Sequence, residues 1–364
     1  MKDRGKSRSE GIGRRRFLET AGLAAAGVIA APAVLRAAGK VEGKLHVESW
    51  GGSYAEAVKN YIIDPFQAKY GVEVSHSYFG NNAEQLAKLK AGASKIDISF
   101  LSDSYVFRAA KAGVLNTVRV ENVPNYDNLF AKFKRPPYDP TSEVHCISYF
   151  WGDQAIAYNT ERIPEAPTSW AALWDPAYKG RVAVYGAGVS PIRLGALLLG
   201  QDINNITDIP AIMAKLETLK PNLLKWWTSG AECTELFATG EIWIADFWRG
   251  RVNNLRRDGH PIAYVPPKEG TVGWVDTMVI PKGAANRRAA EAFMNFAIDP
   301  AIHKAFVLNG ITYAPTNSKV VLNADQLALL GASPEILKNV TFVDPEYELK
   351  HIDDWNALIN KLKA

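Results

Sequence analysis

Short strand-like and helix-like segments follow one another along most of the chain. Lys44 to Ser49 alternates apolar and polar residues, and Tyr54 to Gln67 has helical spacing after a glycine pair. The same alternation predicts further strands at 72–78, 96–101, 181–185, 241–245 and 262–265, and helices at 82–91, 105–112, 190–199, 209–219 and 248–257. This pattern predicts an α/β fold with mostly parallel strands, in which a ligand binds beyond the carboxyl ends of the strands.

Two longer β-rich segments interrupt the alternation. Ile147 to Tyr158 and Val272 to Ile280 each carry a tryptophan, and we interpret them as connections that cross between two lobes. The predicted division places residues 44–150 and 276–318 in the first lobe and residues 155–270 and 319–364 in the second. In that arrangement no single sheet runs through both halves.

The first 38 residues differ from the rest of the chain in charge and composition. They hold eight of the 42 basic residues but only three of the 38 acidic ones, so the remainder is close to neutral. The near-neutral remainder argues against a nucleic-acid partner.

The order of features in this segment is that of a targeting signal. Gly13-Arg14-Arg15-Arg16-Phe17-Leu18 is a twin-arginine pattern, and the Ala-rich apolar stretch after it, 21–33, is too short for the roughly 20 residues of a membrane span. Residues 1–38 are therefore predicted to be a twin-arginine signal peptide that directs the chain to the periplasm through the twin-arginine export machinery. The alternative interpretation is an Arg-rich disordered terminus beside a buried helix.

Patterns typical of enzymes and metal sites are scarce. The nearest match to a nucleophile elbow, Gly188 to Ile192, lacks the final glycine, and the six histidines are scattered without metal-ligand spacing. Cys146 and Cys233 can pair in an oxidising compartment or remain separate buried thiols. The sequence therefore predicts a protein without a metal or cofactor, and not an enzyme.

Six short motifs are spread over the chain from about Leu45 to Asn317. They are Ser49 to Tyr54, Ser102 to Tyr105, Trp151-Gly152, Gly240-Glu241 leading to Trp248, Pro267 to Gly270, and Trp274-x-Asp276. With these motifs the chain resembles the polyamine-type (spermidine/putrescine) family of periplasmic solute-binding proteins. The resemblance implies a two-lobed periplasmic-binding-protein fold of type II, with a ligand cleft between lobes that are joined by a hinge. It also implies a receptor that works with the permease subunits of an ABC importer.

The resemblance also implies the contents of the cleft. Its aromatic residues would be Trp50, Tyr54, Tyr105, Trp151, Trp248 and Trp274. Asp276 would be the carboxylate that takes a ligand ammonium, which gains from an aromatic face and from a charged hydrogen bond. Ser53, Asp103 and Asp246 complete the candidate set, although Asp103 can equally be a helix cap.

One departure from the family changes the expected ligand. Polyamine binders place acidic residues in the loop after the middle strand, whereas here Gly186 to Arg193 contains no acid and ends in an arginine. A second arginine, Arg249, follows Trp248. An arginine at a helix N-terminus suits a carboxylate or phosphonate, so we expect an amine-bearing zwitterion, above all an ω-amino acid such as 4-aminobutyrate.

Two alternatives to this ligand class stay open. If the arginines are surface residues or partners of Asp246, the protein is a putrescine or spermidine receptor. The other alternative is an extracytoplasmic enzyme or sensor subunit on the same scaffold, which would need a catalytic group that the sequence does not reveal.

Overall fold

The computed structural model describes residues 41–92 and 95–364. The predicted signal peptide lies outside the described residues and stays a prediction. Across the described ranges, we find no helix with the length and apolarity needed to span a bilayer.

Strands and helices alternate as the sequence pattern predicts. The strands are β1 (Lys44–Trp50), β2 (Glu73–Phe79), β3 (Ile98–Ser102), β4 (Leu115–Asn116), β5 (Cys146–Asn159), β6 (Val182–Tyr185), β7 (Leu223–Trp227), β8 (Ile244–Trp248), β9 (Ile262–Val265), β10 (Thr271–Pro281), β11 (Ala314–Pro315) and β12 (Val340–Phe342). The α-helices are α1 (Ser53–Val58), α2 (Asp64–Tyr70), α3 (Asn82–Lys90), α4 (Asp103–Lys111), α5 (Ser190–Leu198), α6 (Ile209–Glu217), α7 (Gly230–Ala238), α8 (Arg249–Arg257), α9 (Arg287–Ala297), α10 (Pro300–Ala305), α11 (Ala324–Leu330), α12 (Pro334–Lys338) and α13 (Pro345–Lys363).

The crossing strands β5 and β10 connect the two halves of the sheet. The strand order is β2-β1-β3-β10-β5-β8-β6-β7, so one hydrogen-bonded sheet runs through both halves, and the expectation of unconnected sheets is wrong. Strands β1 to β3 pair in parallel, as do β6 to β8. The expectation of mostly parallel strands fails at the crossing strands, which pair antiparallel with each other, with β3 and with β8.

The buried side chains divide the described chain into two lobes. We call first lobe the part whose cores contain Val47 and Phe107, and second lobe the part whose cores contain Ile192 and Phe247. Strand β5 is buried along its whole length and contributes to cores of both lobes, with Phe150 in the first and Ile156 in the second. The two-lobed α/β fold predicted from the sequence is therefore confirmed.

The C-terminal segment contacts both lobes. Leu330 of α11 packs in the first-lobe core, whereas Trp355 and Ile359 of α13 pack in the second-lobe core. The range 319–364, predicted for the second lobe, therefore has buried contacts on both sides. The division into lobes by residue range stays a prediction.

Candidate functional site

A cavity of about 730 Å³ lies where several strands end and the following helices begin. Helices α1, α4, α5, α7 and α8 all start at its wall, each just after a strand. Nine of the predicted site residues line it: Trp50, Ser53, Tyr54, Asp103, Tyr105, Arg193, Trp248, Trp274 and Asp276. The cavity thus occupies the position that the fold class predicts for a ligand site.

Asp276 lies on crossing strand β10, directly opposite Ser102 at the end of β3. The Ser102 hydroxyl donates to Asp276 Oδ1 at 3.1 Å, although Ser102 also occupies the cap position of α4. The register of β10 shifts between Asp276 and Thr277, and a bulge of this kind re-aims a side chain. Burial raises the pKa of Asp276 to about 7, and the nearby Asp103 carboxylate adds to this rise.

Asp103 is a second buried carboxylate on the same wall. It opens α4, and its two oxygens accept from the backbone N–H groups of Ser104 at 2.7 Å and Val275 at 3.1 Å. Burial raises the pKa of Asp103 to about 6, against the lowering effect of these hydrogen bonds. Among the described residues neither Asp103 nor Asp276 has a cationic partner within salt-bridge distance. The first-lobe wall is therefore acidic.

Aromatic side chains around these carboxylates carry polar atoms without partners. The Tyr54 hydroxyl and Trp274 Nε1 are buried and form no hydrogen bond to any described residue, whereas Trp50 Nε1 interacts with Asp276 and lowers the pKa of its carboxyl. Buried polar atoms in folded proteins are almost always satisfied. Two such atoms on one cavity wall indicate a place for polar groups of a ligand or for ordered water.

Gly152 sets the position of the aromatic wall. Trp274 on β10 pairs with Gly152 on β5, and a Cβ at Gly152 would lie 2.5 Å from Trp274 Cζ2 and 3.0 Å from Tyr313 Cδ1. The rings of Trp274 and Tyr313 meet edge to face at 4.8 Å between centroids. The missing side chain at residue 152 therefore allows both rings to pack against the crossing strand.

The second-lobe wall carries cationic and aromatic groups. Arg193 on α5 forms an ion pair with Glu348 of α13, while its buried Nε has no partner among the described residues. Trp248 ends β8 and packs edge to face on Tyr185, at 5.3 Å between ring centroids. The Arg193 charge predicted for the acid end of a ligand is therefore already neutralised in part by a carboxylate.

Trp151, Asp246 and Arg249 do not line the cavity, in contrast to the expectation for all three. Trp151 is buried in a first-lobe core, where its ring stacks near Phe133. Arg249 is also buried, and its Nε donates to Asp153 Oδ1 at 3.3 Å.

Asp246 supports the wall from behind instead of forming it. It accepts from Gln154 Nε2 and the Tyr185 backbone N–H, both at 2.7 Å, and from Trp227 Nε1 at 3.1 Å. Burial raises the pKa of Asp246 to about 8, against these three donors. Because Gln154 and Tyr185 both line the cavity, Asp246 positions part of its wall.

Sequence reasoning missed several residues of the cavity wall. They are Arg108, Gln154, Arg251, Tyr313 and Glu348. The sequence could have indicated Arg251 as a cavity residue, since it lies in the first turn of the helix that follows Trp248. It gives no such indication for Glu348, because the helix of Glu348 reaches the cavity from the C-terminal end of the chain.

The described residues contain no cluster of His, Cys, Asp and Glu that could hold a metal ion. Cys146 and Cys233 are buried, unpaired thiols in different lobes. Burial raises the pKa of each thiol well above its usual value, which keeps both in the unreactive form.

Comparisons with known proteins agree with this architecture. Residues 61–335 match the family model described as bacterial extracellular solute-binding protein. The chain is 30% identical over 310 residues to the spermidine/putrescine-binding periplasmic protein of Escherichia coli K12, covering 83% of this chain and 84% of that one. It is 25% identical over 336 residues to the gamma-aminobutyric acid-binding protein of Pseudomonas aeruginosa, covering 88% and 91%.

A solved structure has the same fold. The spermidine/putrescine ABC transporter substrate-binding protein PotD of Streptococcus pneumoniae superimposes with a TM-score of 0.77 at 24% identity, over 88% of this chain and 99% of that one. The family match extends over most of the chain, from the segment between α1 and α2 to the start of α12. The chain therefore belongs to the bacterial extracellular solute-binding proteins, in the polyamine-type family of ABC transporter solute-binding proteins.

Proposed function

We propose that this protein is the periplasmic receptor of an ABC importer and that it binds an ω-amino acid such as 4-aminobutyrate. The observation that carries the proposal is the polarity of the cavity. Its first-lobe wall presents Asp103 and Asp276 beside one arginine, Arg108. Its second-lobe wall presents Arg193 and Arg251 beside one carboxylate, Glu348. A ligand with an amine at one end and an acid at the other matches this charge arrangement.

The amine end belongs at Asp276. Its buried carboxylate accepts from the Ser102 hydroxyl and interacts with Trp50 Nε1, and its remaining lone pairs can accept bonds from an ammonium. Trp50, Tyr54 and Trp274 surround the same end, and a cation is attracted to an aromatic face.

The acid end belongs against the second lobe. Helices α5 and α7 begin at the cavity, and the free N–H groups of a first helical turn favour an anion. A zwitterion that touches both walls would stabilise the closed form, since only that form satisfies both of its charges. A diamine would instead bring its second ammonium towards guanidinium groups.

The polyamine alternative is supported by the spermidine/putrescine-binding relative at 30% identity and by one specific observation. Glu348 lines the cavity beside Arg193, so the second-lobe wall is not purely cationic. If Glu348 left Arg193, its carboxylate would suit a second ammonium. An aminophosphonate would use the same two poles as an ω-amino acid.

The experiment that tests the proposal is calorimetric titration of the mature protein with 4-aminobutyrate, putrescine and spermidine. We expect 4-aminobutyrate to bind more tightly than either amine. Tight binding of putrescine or spermidine without binding of 4-aminobutyrate would establish the polyamine alternative. Mass spectrometry of a ligand that stays bound through purification gives an independent answer.

Two further parts of the proposal have separate tests. An enzyme on this scaffold would convert its ligand, so a ligand of unchanged mass after long incubation argues for a receptor. For the proposed export route, Arg14→Lys with Arg15→Lys should leave the chain in the cytoplasm, while Arg4→Lys with Arg8→Lys should not. Export of the first double variant would rule out the twin-arginine route.

A further inference from the structure

The arginines near the cavity differ in their partners. Arg249 is paired with Asp153, and Arg193 is paired with Glu348. Arg251 lines the cavity, and within the described chain it has neither an ion pair nor a hydrogen bond from its side chain. Arg251 is therefore the arginine of the second-lobe wall whose positive charge has no carboxylate partner among the described residues.

A glycine makes room for this guanidinium. A Cβ at Gly230 would lie 3.0 Å from Arg251 Nε and 2.9 Å from Trp248 Cζ3. Gly230 is the first residue of α7, a helix of nine residues whose cap, Ser229, already accepts from Glu232 N. Arg251 therefore lies against a helix start whose Gly230 and Ala231 N–H groups have no intrahelical acceptor.

We propose that Arg251 binds the acid group of the ligand and selects acid-bearing ligands over diamines. The inference rests on the proposed function and deepens it. A guanidinium can bind a carboxylate through two parallel hydrogen bonds, and the first turn of α7 adds N–H groups and a favourable dipole beside it. The ligand class is then an amine joined by a chain to a carboxylate or a similar planar acid.

Tyr313 connects the two poles of this assignment. The pKa of its hydroxyl is raised by burial and by the charge of Asp276, while the charge of Arg251 lowers it. Tyr313 therefore lies within electrostatic reach of both the carboxylate and the guanidinium. A ligand that spans from Asp276 to Arg251 would run along the Trp274–Tyr313 wall.

Two other arginines of the cavity fit the role less well. Arg108 stands over the Tyr105 ring at 4.8 Å and lies on α4, the helix that carries Asp103. It therefore belongs to the acidic wall and would not draw the lobes together. Arg193 would first have to give up Glu348, whereas Arg251 needs no such exchange.

The test compares Arg251→Met with Arg256→Met, an exposed arginine on the same helix that lies outside the cavity. Calorimetry with 4-aminobutyrate should show a loss of about 10- to 150-fold in affinity for Arg251→Met, the range for a charged hydrogen bond. Arg256→Met should bind like the wild type. Arg251→Lys keeps the charge without the paired geometry and should fall between them.

A charge reversal sharpens the test. Arg251→Asp should abolish 4-aminobutyrate binding and improve putrescine binding, because it places a carboxylate at each end of the cavity. Melting curves check that each variant folds. If Arg251→Met or Arg251→Asp does not fold, Arg251→Lys provides the test in its place.

The outcomes separate this inference from the proposed function. If the wild type binds 4-aminobutyrate and folded Arg251→Met binds it equally well, Arg251 is not the acid receptor, although the proposed function stands. If the wild type binds only diamines and Arg251→Met leaves that binding unchanged, both fail. If Arg108→Met, and not Arg251→Met, abolishes 4-aminobutyrate binding, the acid group lies on the other wall and the inference is overturned.

Discussion

The charged residues on the two walls of the cavity differ in whether they have ion-pair partners. On the first lobe, Asp103 and Asp276 are buried without an ion pair among the described residues and accept only uncharged hydrogen-bond donors. On the second lobe, Arg193 is paired with Glu348 and Arg251 is unpaired. Behind the second wall, Arg249 and Asp153 satisfy each other.

This difference distinguishes charges that are paired within the protein from charges that are available to bind a ligand. A buried charge without a partner is costly, so a protein normally pairs it or keeps it neutral. The raised pKa values of Asp103 and Asp276 reflect that cost. Asp103 and Asp276 lie on one lobe and the unpaired Arg251 on the other, so a zwitterion that bridges the cavity can compensate charges on both lobes. Arg108, also without an ion pair among the described residues, lies over the Tyr105 ring on the first lobe.

The largest expected effect is the loss of the amine site. Asp276→Asn removes the charge that an ammonium needs, so affinity for an amine-bearing ligand should fall by about 1.5–3 kcal/mol, or roughly 10- to 150-fold. Calorimetry measures the loss, with the exposed Asp354→Asn as control.

Stability should respond in the opposite sense to this substitution. The pKa of Asp276, about 7, lies above that of an unfolded aspartate, so the fold loses stability as the pH rises from about 4 to 7 and the loss is complete above pH 7. The melting temperature of Asp276→Asn at pH 8 should hold or rise. A large fall in the melting temperature with unchanged affinity would show that Asp276 supports the fold and does not bind the ligand.

The second prediction concerns pH. Without ligand, Asp276 has a pKa of about 7 and Asp103 one of about 6, so both take up protons as the pH falls. An ammonium binds the ionised carboxylate, and binding must therefore release a proton at low pH. Affinity should fall about tenfold from pH 8 to pH 6, as measured by titration in buffers of equal ionic strength. In Asp276→Asn the remaining pH dependence of the affinity should lie at lower pH, because Asp103 is the carboxylate that still titrates. A wild-type affinity that does not change with pH would contradict this explanation.

The third prediction tests the aromatic wall between the two poles. Gly152→Ala would force a methyl group against Trp274 and Tyr313, and overpacking of this kind costs about 1–3 kcal/mol of stability. Affinity should fall as well, because both rings line the cavity. Gly51→Ala is the matched control for the melting temperature, since its Cβ would meet only the Tyr78 Cβ at 3.7 Å. Equal melting temperatures for the two variants would show that the Trp274 and Tyr313 rings can shift to make room for the methyl group.

Several features of fold and site could be predicted from periodicity and motifs. The first strand, the helix after Ser102 and both crossing strands lie within a few residues of their predicted bounds. The strand predicted at 241–245 lies at Ile244–Trp248 instead, because the apolar run there has no alternation that would fix its ends.

The errors within the site come from side-chain direction. Trp151 follows Phe150 on a strand, where neighbouring side chains point to opposite faces, and only Phe150 lines the cavity. Arg249 and Arg251 are two positions apart on a helix and therefore face different sides. Only the packing of α8 determines which of them meets the ligand, and a motif cannot show it. The contribution of Glu348 depends on where the C-terminal helix docks, which no local pattern specifies.

The smallest expected effect addresses whether Glu348 belongs to the basic wall. Glu348→Gln keeps a carbonyl acceptor for the Arg193 guanidinium but removes the negative charge beside it. With an ω-amino acid as ligand, the freed charge of Arg193 should raise affinity about two- to fivefold, the scale of a partly exposed ion pair. With a diamine as ligand, the same variant should bind more weakly, because a carboxylate available to the second ammonium is gone. Titration of Glu348→Gln with 4-aminobutyrate and putrescine measures both directions, and Glu346→Gln, on the outer side of the same helix, is the control. Weaker binding of both ligands would mean that the Arg193–Glu348 pair shapes the wall and that its charges do not select the ligand.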